Sequence, residues 1–304
     1  MAKRLWTASM GVLASGLVVL AAAGPGQADV PEVPCTDLLP GTPTSQNPQP
    51  HPIKHCREAR PKCIDTEITR LKRLRDRLGC DHRGVFATTY LELTRQLRRD
   101  MRNGLIEGHY ISPEYLYRED ALFANVYFRI FRANNRGKPI PEAWRIAFDA
   151  AADGNYFGAQ DMLLGINAHV QNDMPFVLAA QGLHTPSGKS RKPDHDRFNQ
   201  TLNRAFTPVV QAVRRRFDPS LDLTNPPQVP LDDFAGIQLV RGWREVVWRH
   251  AEQLLNASSP EEYAQVASSI EQYAAANAEA IAALFPPGYA PTRDAYCAQG
   301  PAAG

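Results

Sequence analysis

Apolar side chains recur at helical spacing through most of this 304-residue chain. In one early stretch Ile68, Leu71, Leu74 and Leu78 follow one another at intervals of three or four residues, which places them on a single helix face. No stretch shows the alternation of apolar and polar residues that a half-buried strand requires. No internal repeat at a fixed period is present either. The pattern therefore predicts an all-α fold, a single helical bundle of about eight or nine helices.

Start and stop signals bound several of these helices, and Gly79 is the stop signal after Leu78. Ser112, Pro113 and Glu114 combine an N-cap residue, a proline suited to the first turn and an acid that complements the helix dipole. Ser259 and Glu262 match a capping box at the start of the last long helix.

Residues 185–193, TPSGKSRKP, are predicted to be a flexible polar loop, and two residues of the helix that follows it are interpreted in the same way. Asp194 is predicted to be an ordinary N-cap for the helix that it opens. Pro208 is predicted to bend that helix, because a proline inside a helix removes one backbone hydrogen bond.

The two ends of the chain are predicted to lie outside the helical domain, which spans residues 63–286. Residues 1–28 join a short basic start, an apolar stretch and a Gly-Gln-Ala ending, as a secretory signal peptide does. An uncleaved membrane anchor is the alternative, because the apolar stretch could just span a bilayer. Residues 29–62 form a Pro/Cys-rich arm, and residues 287–304 form a tail. The mature protein is expected to be secreted, without stable membrane insertion.

Charge argues against a nucleic-acid partner. The chain has 34 basic and 32 acidic residues, and removal of Lys3 and Arg4 with the signal peptide leaves 32 of each. A formally neutral protein is a poor electrostatic partner for a polyanion. Residues 54–103 hold 14 Lys and Arg against 7 Asp and Glu. At helical spacing this local excess is most simply a solvated face.

The five cysteines all lie in the predicted mature chain, which allows at most two disulfides. Cys63 and Cys80 bracket a predicted helix whose ends would be about 20 Å apart, too far for a bond between them. Each is therefore expected to pair with another cysteine, such as Cys35, Cys56 or Cys297. No C-x-x-C motif points to a metal knuckle or a redox centre.

The most unusual segment is LLGINAHVQNDMPFVL, residues 163–178, an apolar run with a polar centre. His169 and Asp173 are four residues apart, so a helix projects them from one face, where they could share a metal ion or a proton. Pro175 should kink or break the helix just past the pair. Asn167 and Asn172 add further departures from a core pattern, and such clusters are typical of functional sites. The alternative is a purely structural buried pair.

Other helices would have to supply the remaining groups of such a site. Asp120 and His195 are the candidate metal ligands that would join His169 and Asp173. For Asp120 a role as a first-turn partner of the helix dipole is favoured over that of an inward ligand. His195 belongs to the Asp194-His195-Asp196 triplet. The candidate general bases are Asp161 and Asp196.

Part of the chain resembles an actinobacterial all-helical family of unknown function. The likeness covers about residues 84–257 and rests on four stretches: ALFANVYF (121–128), GINAHVQNDMPFVL (165–178), DHDRFNQTL (194–202) and GWREVVWRHA (242–251). Its most specific part is the Asn-Ala-His-x-x-x-Asp-x-Pro motif. The resemblance implies a helical fold, and it implies no activity.

A weaker likeness is to zinc-dependent phospholipase C and the P1-type nucleases, in which a helix carries H-x-x-x-D followed by a nearby proline. His169, Asp173 and Pro175 match this pattern. Phe176 follows the proline where those enzymes have a further histidine close to the motif, and the predicted mature chain begins at Asp29 rather than at a tryptophan. The likeness implies one or two metal ions rather than a full three-zinc cluster.

These features favour an exported metal-dependent hydrolase of phosphoesters or lipid esters, in which zinc lowers the pKa of a bound water. The alternative is a non-catalytic helical protein that binds an apolar or lipid-like molecule. A lyase or cyclase ranks last, because no D-D-x-x-D stretch is present. The signatures of serine hydrolases, P-loop proteins, dinucleotide-binding folds and zincins are also absent.

Overall fold

The computed structural model describes residues 53–221, 233–284 and 290–300. The predicted signal peptide and Cys35 lie outside the described residues, as does most of the predicted arm.

Helices account for nearly all of the regular structure in these three ranges, and the only strand-like feature there is one isolated bridge between His184 and Ser190. The α-helices are α1 (Lys62–Leu78), α2 (Arg83–Arg102), α3 (Pro113–Asn134), α4 (Glu142–Asp153), α5 (Gly158–Asn167), α6 (Met174–Gln181), α7 (Lys192–Arg216), α8 (Asp233–Asn256), α9 (Pro260–Ala283) and α10 (Ala290–Ala298). A π-helical segment, Ala168–Asp173, joins α5 to α6 without a break. The predicted all-α bundle is confirmed.

The continuous rod formed by α5, the π segment and α6 lies at the centre of the bundle. It contacts α2, α3, α4, α8 and α9. On the outer side of α2, α1 and α7 pack along its length. The largest fully buried side chains include Leu164 on the rod and Trp144 and Tyr127, which pack against it. The segment with the polar centre is therefore a core element, as its apolar flanks predicted.

Most predicted helix ends are confirmed. Gly79 follows the last residue of α1 with φ 57°, a left-handed value that glycine adopts without strain. Ser112 is the N-cap residue of α3, and Ser259 Oγ accepts a hydrogen bond from Glu262 N at 3.1 Å. The Glu262 carboxylate reaches back to Ser258 N at 2.7 Å. The capping box is thus present, shifted by one residue on its return bond.

The interpretation of Asp194 as an N-cap was wrong. The helix α7 begins at Lys192, and Asp194 lies within its first turn. The Asp194 carboxylate instead accepts hydrogen bonds from Ile111 N at 2.7 Å and Ser112 N at 3.0 Å. It therefore fixes the chain that enters α3. Further along, α7 continues through Pro208 to its end.

The interruption expected from Pro175 takes the form of a local widening of the helix. Met174 N donates to His169 O, five residues earlier, which is the bonding pattern of a π-helix. Pro175 has no N–H and cannot donate to Gln171 O. The disturbance falls on the His169–Asp173 stretch itself rather than just past it, and a regular helix resumes at once.

Two disulfides are present in the described ranges. Cys56 pairs with Cys63, and Cys80 pairs with Cys297. The prediction that Cys63 and Cys80 bond to other cysteines is confirmed, and these partners are two of the three that were considered. The first disulfide staples the short 3-10 turn Lys54–Cys56 to α1, and the second ties α10 to the turn between α1 and α2.

Candidate functional site

His169 and Asp173 lie on one face of the rod, as their spacing predicted. His169 Nδ1 is 2.9 Å from Asp173 Oδ2, and each residue is 2 % exposed. Trp144 Nε1 also donates to Asp173 Oδ2, at 2.9 Å, and Asn172 Nδ2 donates to Oδ1 at 2.7 Å. Asp173 thus accepts hydrogen bonds from three side chains.

Aromatic rings surround the His169 imidazole. Phe123 stacks on it with centroids 3.4 Å apart and planes inclined by 6°. Four more aromatic rings have centroids within 6 Å of it: Phe86, Tyr90, Tyr127 and Trp144. Burial lowers the pKa of His169, and the hydrogen bond to Asp173 only partly offsets this. The ring is therefore neutral, its Nδ1–H donates to Asp173, and its Nε2 is a buried acceptor without a hydrogen-bond partner in the described residues.

The Phe86 side chain fills the space beside Gly165. A Cβ placed on Gly165 would lie 2.4 Å from Phe86 Cγ. The Phe86 ring packs against the glycine and against His169. The glycine is thus required for close packing of α2 on the rod, and it does not open a cavity.

Asp120 and His195 are the other two predicted metal ligands, and each has a different environment. Asp120 Oδ2 is buried without a partner, and burial raises the pKa of Asp120 well above its usual value. His195 bonds to Arg244 O on α8, with Nε2 at 3.0 Å from the oxygen. In 53–221, 233–284 and 290–300, no three His, Cys, Asp or Glu residues are grouped so that they could hold a metal ion. The structure does not bring the predicted ligands together as one set.

Asp161 and Asp196, the two predicted general bases, each contact a basic side chain. Asp161 Oδ2 is 2.6 Å from His82 Nδ1, and burial raises the pKa of Asp161 to about 6 although His82 lowers it. Asp196 Oδ1 accepts from Lys192 Nζ at 2.6 Å. Lys192 also bonds Glu245 at 2.7 Å. Glu245 is buried.

A second site lies where the start of α3, the start of α7 and the middle of α8 meet. This α3–α7–α8 pocket is partly open to solvent and encloses about 10 Å³, room for about one water molecule. Four aromatic side chains form part of its wall: Tyr110, Tyr115, Phe198 and Trp248. Its charged and polar members come from three separate elements.

Arg191 is held rigidly at this pocket. Its guanidinium carbon lies 4.0 Å from the centroid of the Tyr115 ring, a cation–π contact. Its Nε donates to His184 O at 3.1 Å, and Tyr115 Oη donates to Gly182 O at 2.9 Å. The two Nη groups of Arg191 have no hydrogen-bond partner in the described part of the chain, although the residue is only 9 % exposed.

Glu119 and His195 complete the polar side of the pocket. Glu119 is partly buried and makes no hydrogen bond or ion pair with a described residue. Burial raises the pKa of Glu119 to about 7, while Arg244 and Arg191 lower it and Asp194 raises it. His195 is 5 % exposed, and burial together with Arg244 lowers its pKa well below the usual value. Its Nε2–H therefore donates to Arg244 O, which leaves Nδ1 as an acceptor without a described partner.

Arg244 ties α8 to α7 beneath the pocket. It donates to His195 O at 2.6 Å and to Asn199 Oδ1 at 3.0 Å. Asp194, which also lines the pocket, accepts hydrogen bonds from the backbone before α3. Hydrogen bonds to neighbouring elements thus fix four of the pocket side chains, Arg191, Asp194, His195 and Arg244.

A family model covers residues 64–284, which include both the His169 cluster and the α3–α7–α8 pocket. The chain belongs to DUF5995, a family of unknown function. Neither a curated protein nor a solved structure matches it. DUF5995 membership supports the sequence-based resemblance to a family without an assigned activity, and the likeness to zinc-dependent phospholipase C stays a prediction. The helix α10 lies outside the matched residues.

Three members of the pocket in this DUF5995 protein were missed as site residues. Arg191 lies in a segment that was interpreted as a flexible polar loop. Glu119 stands next to the chosen Asp120, and Arg244 stands next to Glu245. Glu119 lies four residues after Tyr115, on the same helix face, and this apolar neighbour was the signal that could have pointed to it.

Proposed function

We propose that this DUF5995 protein binds a small acidic molecule at the α3–α7–α8 pocket, with the acidic group at the polar side chains and the apolar part at the open side of the pocket, because the enclosed space is only of water size. The observation that carries the proposal is the convergence of Arg191 Nη, Glu119 and His195 Nδ1 on one partly enclosed space. None of these groups hydrogen-bonds to another. His195 Nδ1 is a buried acceptor without a described partner, and such an atom is costly to leave unpaired, so a ligand that donates a hydrogen bond to it gains that free energy.

The chemistry of the ligand follows from the groups that it meets. A guanidinium with two free Nη groups suits a carboxylate or carbonyl oxygen. The neutral His195 accepts a hydrogen bond through Nδ1. Tyr115, Phe198 and Trp248 offer apolar area beside the polar groups. One of the two sequence-based hypotheses was a non-catalytic protein that binds an apolar or lipid-like molecule. The present proposal adds an acidic group to that ligand.

Two disulfides are typical of proteins that fold in an oxidising compartment. Among the described helices, none has the length and apolarity that a bilayer span needs. We propose that the mature protein is secreted after cleavage of the predicted signal peptide, and that its ligand is taken up outside the cell.

Sodium octanoate tests the proposal, because it joins a carboxylate to an apolar chain. Isothermal titration calorimetry of the mature protein at pH 7 is expected to show saturable binding at one site. Arg191→Ala is expected to weaken it about tenfold or more, since a charge-assisted hydrogen bond is lost. The matched control is Lys189→Ala, an exposed cation two residues away. No saturable binding, or equal affinities for Arg191→Ala and the unmodified protein, would overturn the proposal.

A further inference from the structure

Three helices of the bundle end close together, around the turn between α1 and α2. The helix α1 leads directly into this turn. Arg83 Nη1, at the start of α2, donates to Oδ1 of Asn135, the residue after α3, at 2.9 Å. A Cβ on Gly84 would lie 3.1 Å from the ring of Phe217, the residue after α7. The C-termini of α1, α3 and α7 therefore lie at one end of the bundle.

This end of the bundle carries a large positive charge. Residues 72–83, 129–138 and 214–218, which we call the basic end, hold 12 Lys and Arg against 3 Asp and Glu, an excess of nine positive charges. The whole chain has a formal net charge of +2, so the rest of the chain carries seven more negative than positive charges. The near neutrality of the chain thus hides a strong separation of charge.

Neighbouring groups offset little of this charge. Asp161 of α5 is buried against His82, and Asp294 of α10 pairs with Arg293. Asp153, the last residue of α4, is an exposed acid. Each helix C-terminus carries about −0.5 elementary charge, so the three helix dipoles together offset about 1.5 charges. Compensation of the helix dipoles therefore explains only a small part of the excess.

Several cations of the basic end are exposed and unpaired. Side chains on all three helices make no hydrogen bond or ion pair with a described residue, and they are those of Arg73, Arg77, Arg129, Arg132 and Arg215. Arg75 and Arg216 are close enough to act on each other, because Arg75 adds to the lowering of the pKa of Arg216 that burial causes. An anion placed against this surface would meet unneutralised guanidinium groups from three helices.

We propose that the basic end binds the surface of a bilayer that contains anionic lipids. Such a bilayer is a broad array of negative headgroups, which three neighbouring helix ends can contact at the same time. Each Lys or Arg close to it raises the binding constant about fivefold. This inference is independent of the proposed function, because no residue of the α3–α7–α8 pocket takes part in it.

The absence of exposed apolar side chains at the basic end decides how the bilayer is bound. The exposed large apolar residues of the described ranges all lie outside the three segments, and they are Leu105, Leu239, Tyr263, Tyr273 and Leu284. The contact is therefore electrostatic and does not insert into the hydrocarbon. Single-stranded nucleic acid is disfavoured for the same reason, since its binding sites combine cations with aromatic side chains on which bases stack.

Binding through the basic end also sets the orientation of the pocket. The pocket lies where α3 and α7 begin, and the basic end lies where they finish. The 25 residues of α7 span about 37 Å at a rise of about 1.5 Å per residue. A protein bound to a bilayer in this way presents its pocket to the solution.

Co-sedimentation of the purified mature protein with vesicles tests this inference. Vesicles of equal parts phosphatidylcholine and phosphatidylglycerol are expected to bind it at about 0.1 M salt and to release it at about 1 M, because the Debye length falls from about 10 Å to about 3 Å. The triple variant Arg73→Glu/Arg132→Glu/Arg215→Glu reverses one charge on each helix. It is expected to lower the partition coefficient about 100-fold or more.

The matched control makes the same change of charge at the opposite ends of the helices. Lys62→Glu/Arg102→Glu/Lys189→Glu reverses exposed cations where α1 begins, where α2 ends and just before α7. We expect this variant to keep most of the vesicle binding. Circular dichroism confirms that both variants are folded, and both are expected to bind octanoate as the unmodified protein does.

Four results would overturn the proposal. The first is no binding to the mixed vesicles, and the second is equal binding to vesicles of phosphatidylcholine alone. The third is an equal loss of binding in the control and in the triple variant, which would mean that the basic end is not the contact surface. The fourth is retention on heparin without binding to vesicles, which would replace the lipid by a soluble polyanion. None of these results bears on octanoate binding, so the two proposals can fail separately.

Discussion

Asp173 is the polar centre of the bundle, because three donors converge on one buried carboxylate. Removing it in Asp173→Ala would leave His169 Nδ1, Trp144 Nε1 and Asn172 Nδ2 without an acceptor in the core. Each unsatisfied buried donor costs about 1–3 kcal/mol, so we expect the free energy of unfolding to fall by about 3 kcal/mol or more. Denaturant unfolding measures it. Asp149→Ala, an exposed carboxylate on α4, is the control, and a loss of similar size there would contradict the explanation.

Substitution of His169 distinguishes a metal site from a purely structural His169–Asp173 pair. We expect His169→Ala to lower the free energy of unfolding by about 1–3 kcal/mol, because Asp173 loses one donor, and to leave octanoate binding unchanged. Unfolding experiments and elemental analysis should be done on the same samples. About one zinc per chain in the unmodified protein, lost in His169→Ala, would support the metal-dependent hydrolase predicted from the sequence instead.

At the scale of elements, two helical glycines differ in how tightly they are packed: Gly165 is in close contact with Phe86, and Gly242 has open space beside it. Gly165→Ala would push a methyl group into the root of the Phe86 ring, and we expect a loss of about 1–3 kcal/mol in unfolding free energy. A Cβ on Gly242 in α8 meets no atom within 4 Å, so Gly242→Ala should stabilise the helix by about 1 kcal/mol. Thermal unfolding of both variants tests the pair. Equal effects would mean that helix propensity, and not packing, governs both positions.

The helices could be predicted from the sequence because their signals are local. Apolar spacing and residues such as Gly79 and Ser259 act within one or two turns, and the structure confirms them. The pocket could not be predicted, because Glu119, Arg191 and Arg244 come from three elements that meet only after folding. Asp194 shows the limit of local rules most directly. Capping preferences predicted that Asp194 caps its own helix. In the structure its carboxylate accepts hydrogen bonds from the backbone before α3 instead.

At the scale of the whole molecule, the disulfide between Cys80 and Cys297 attaches a helix that lies outside the family match to helices inside it. Replacing both cysteines by serine is expected to lower the free energy of unfolding by about 2–5 kcal/mol, because a long loop in the unfolded chain is no longer closed. Denaturation with and without reductant measures this. A variant as stable as the oxidised protein would show that α10 is held by its other contacts, among them the bond from Arg293 Nη1 to Cys80 O.

The Cys80–Cys297 disulfide closes the chain between these two residues into a covalent ring, across a sequence separation of 217. A protease that cuts once inside the ring produces a new pair of ends but releases no fragment. The nicked molecule migrates as one species until a thiol reagent opens it, and only then do two bands separate. A single cut between Cys80 and Cys297 therefore leaves the two parts of the chain covalently joined.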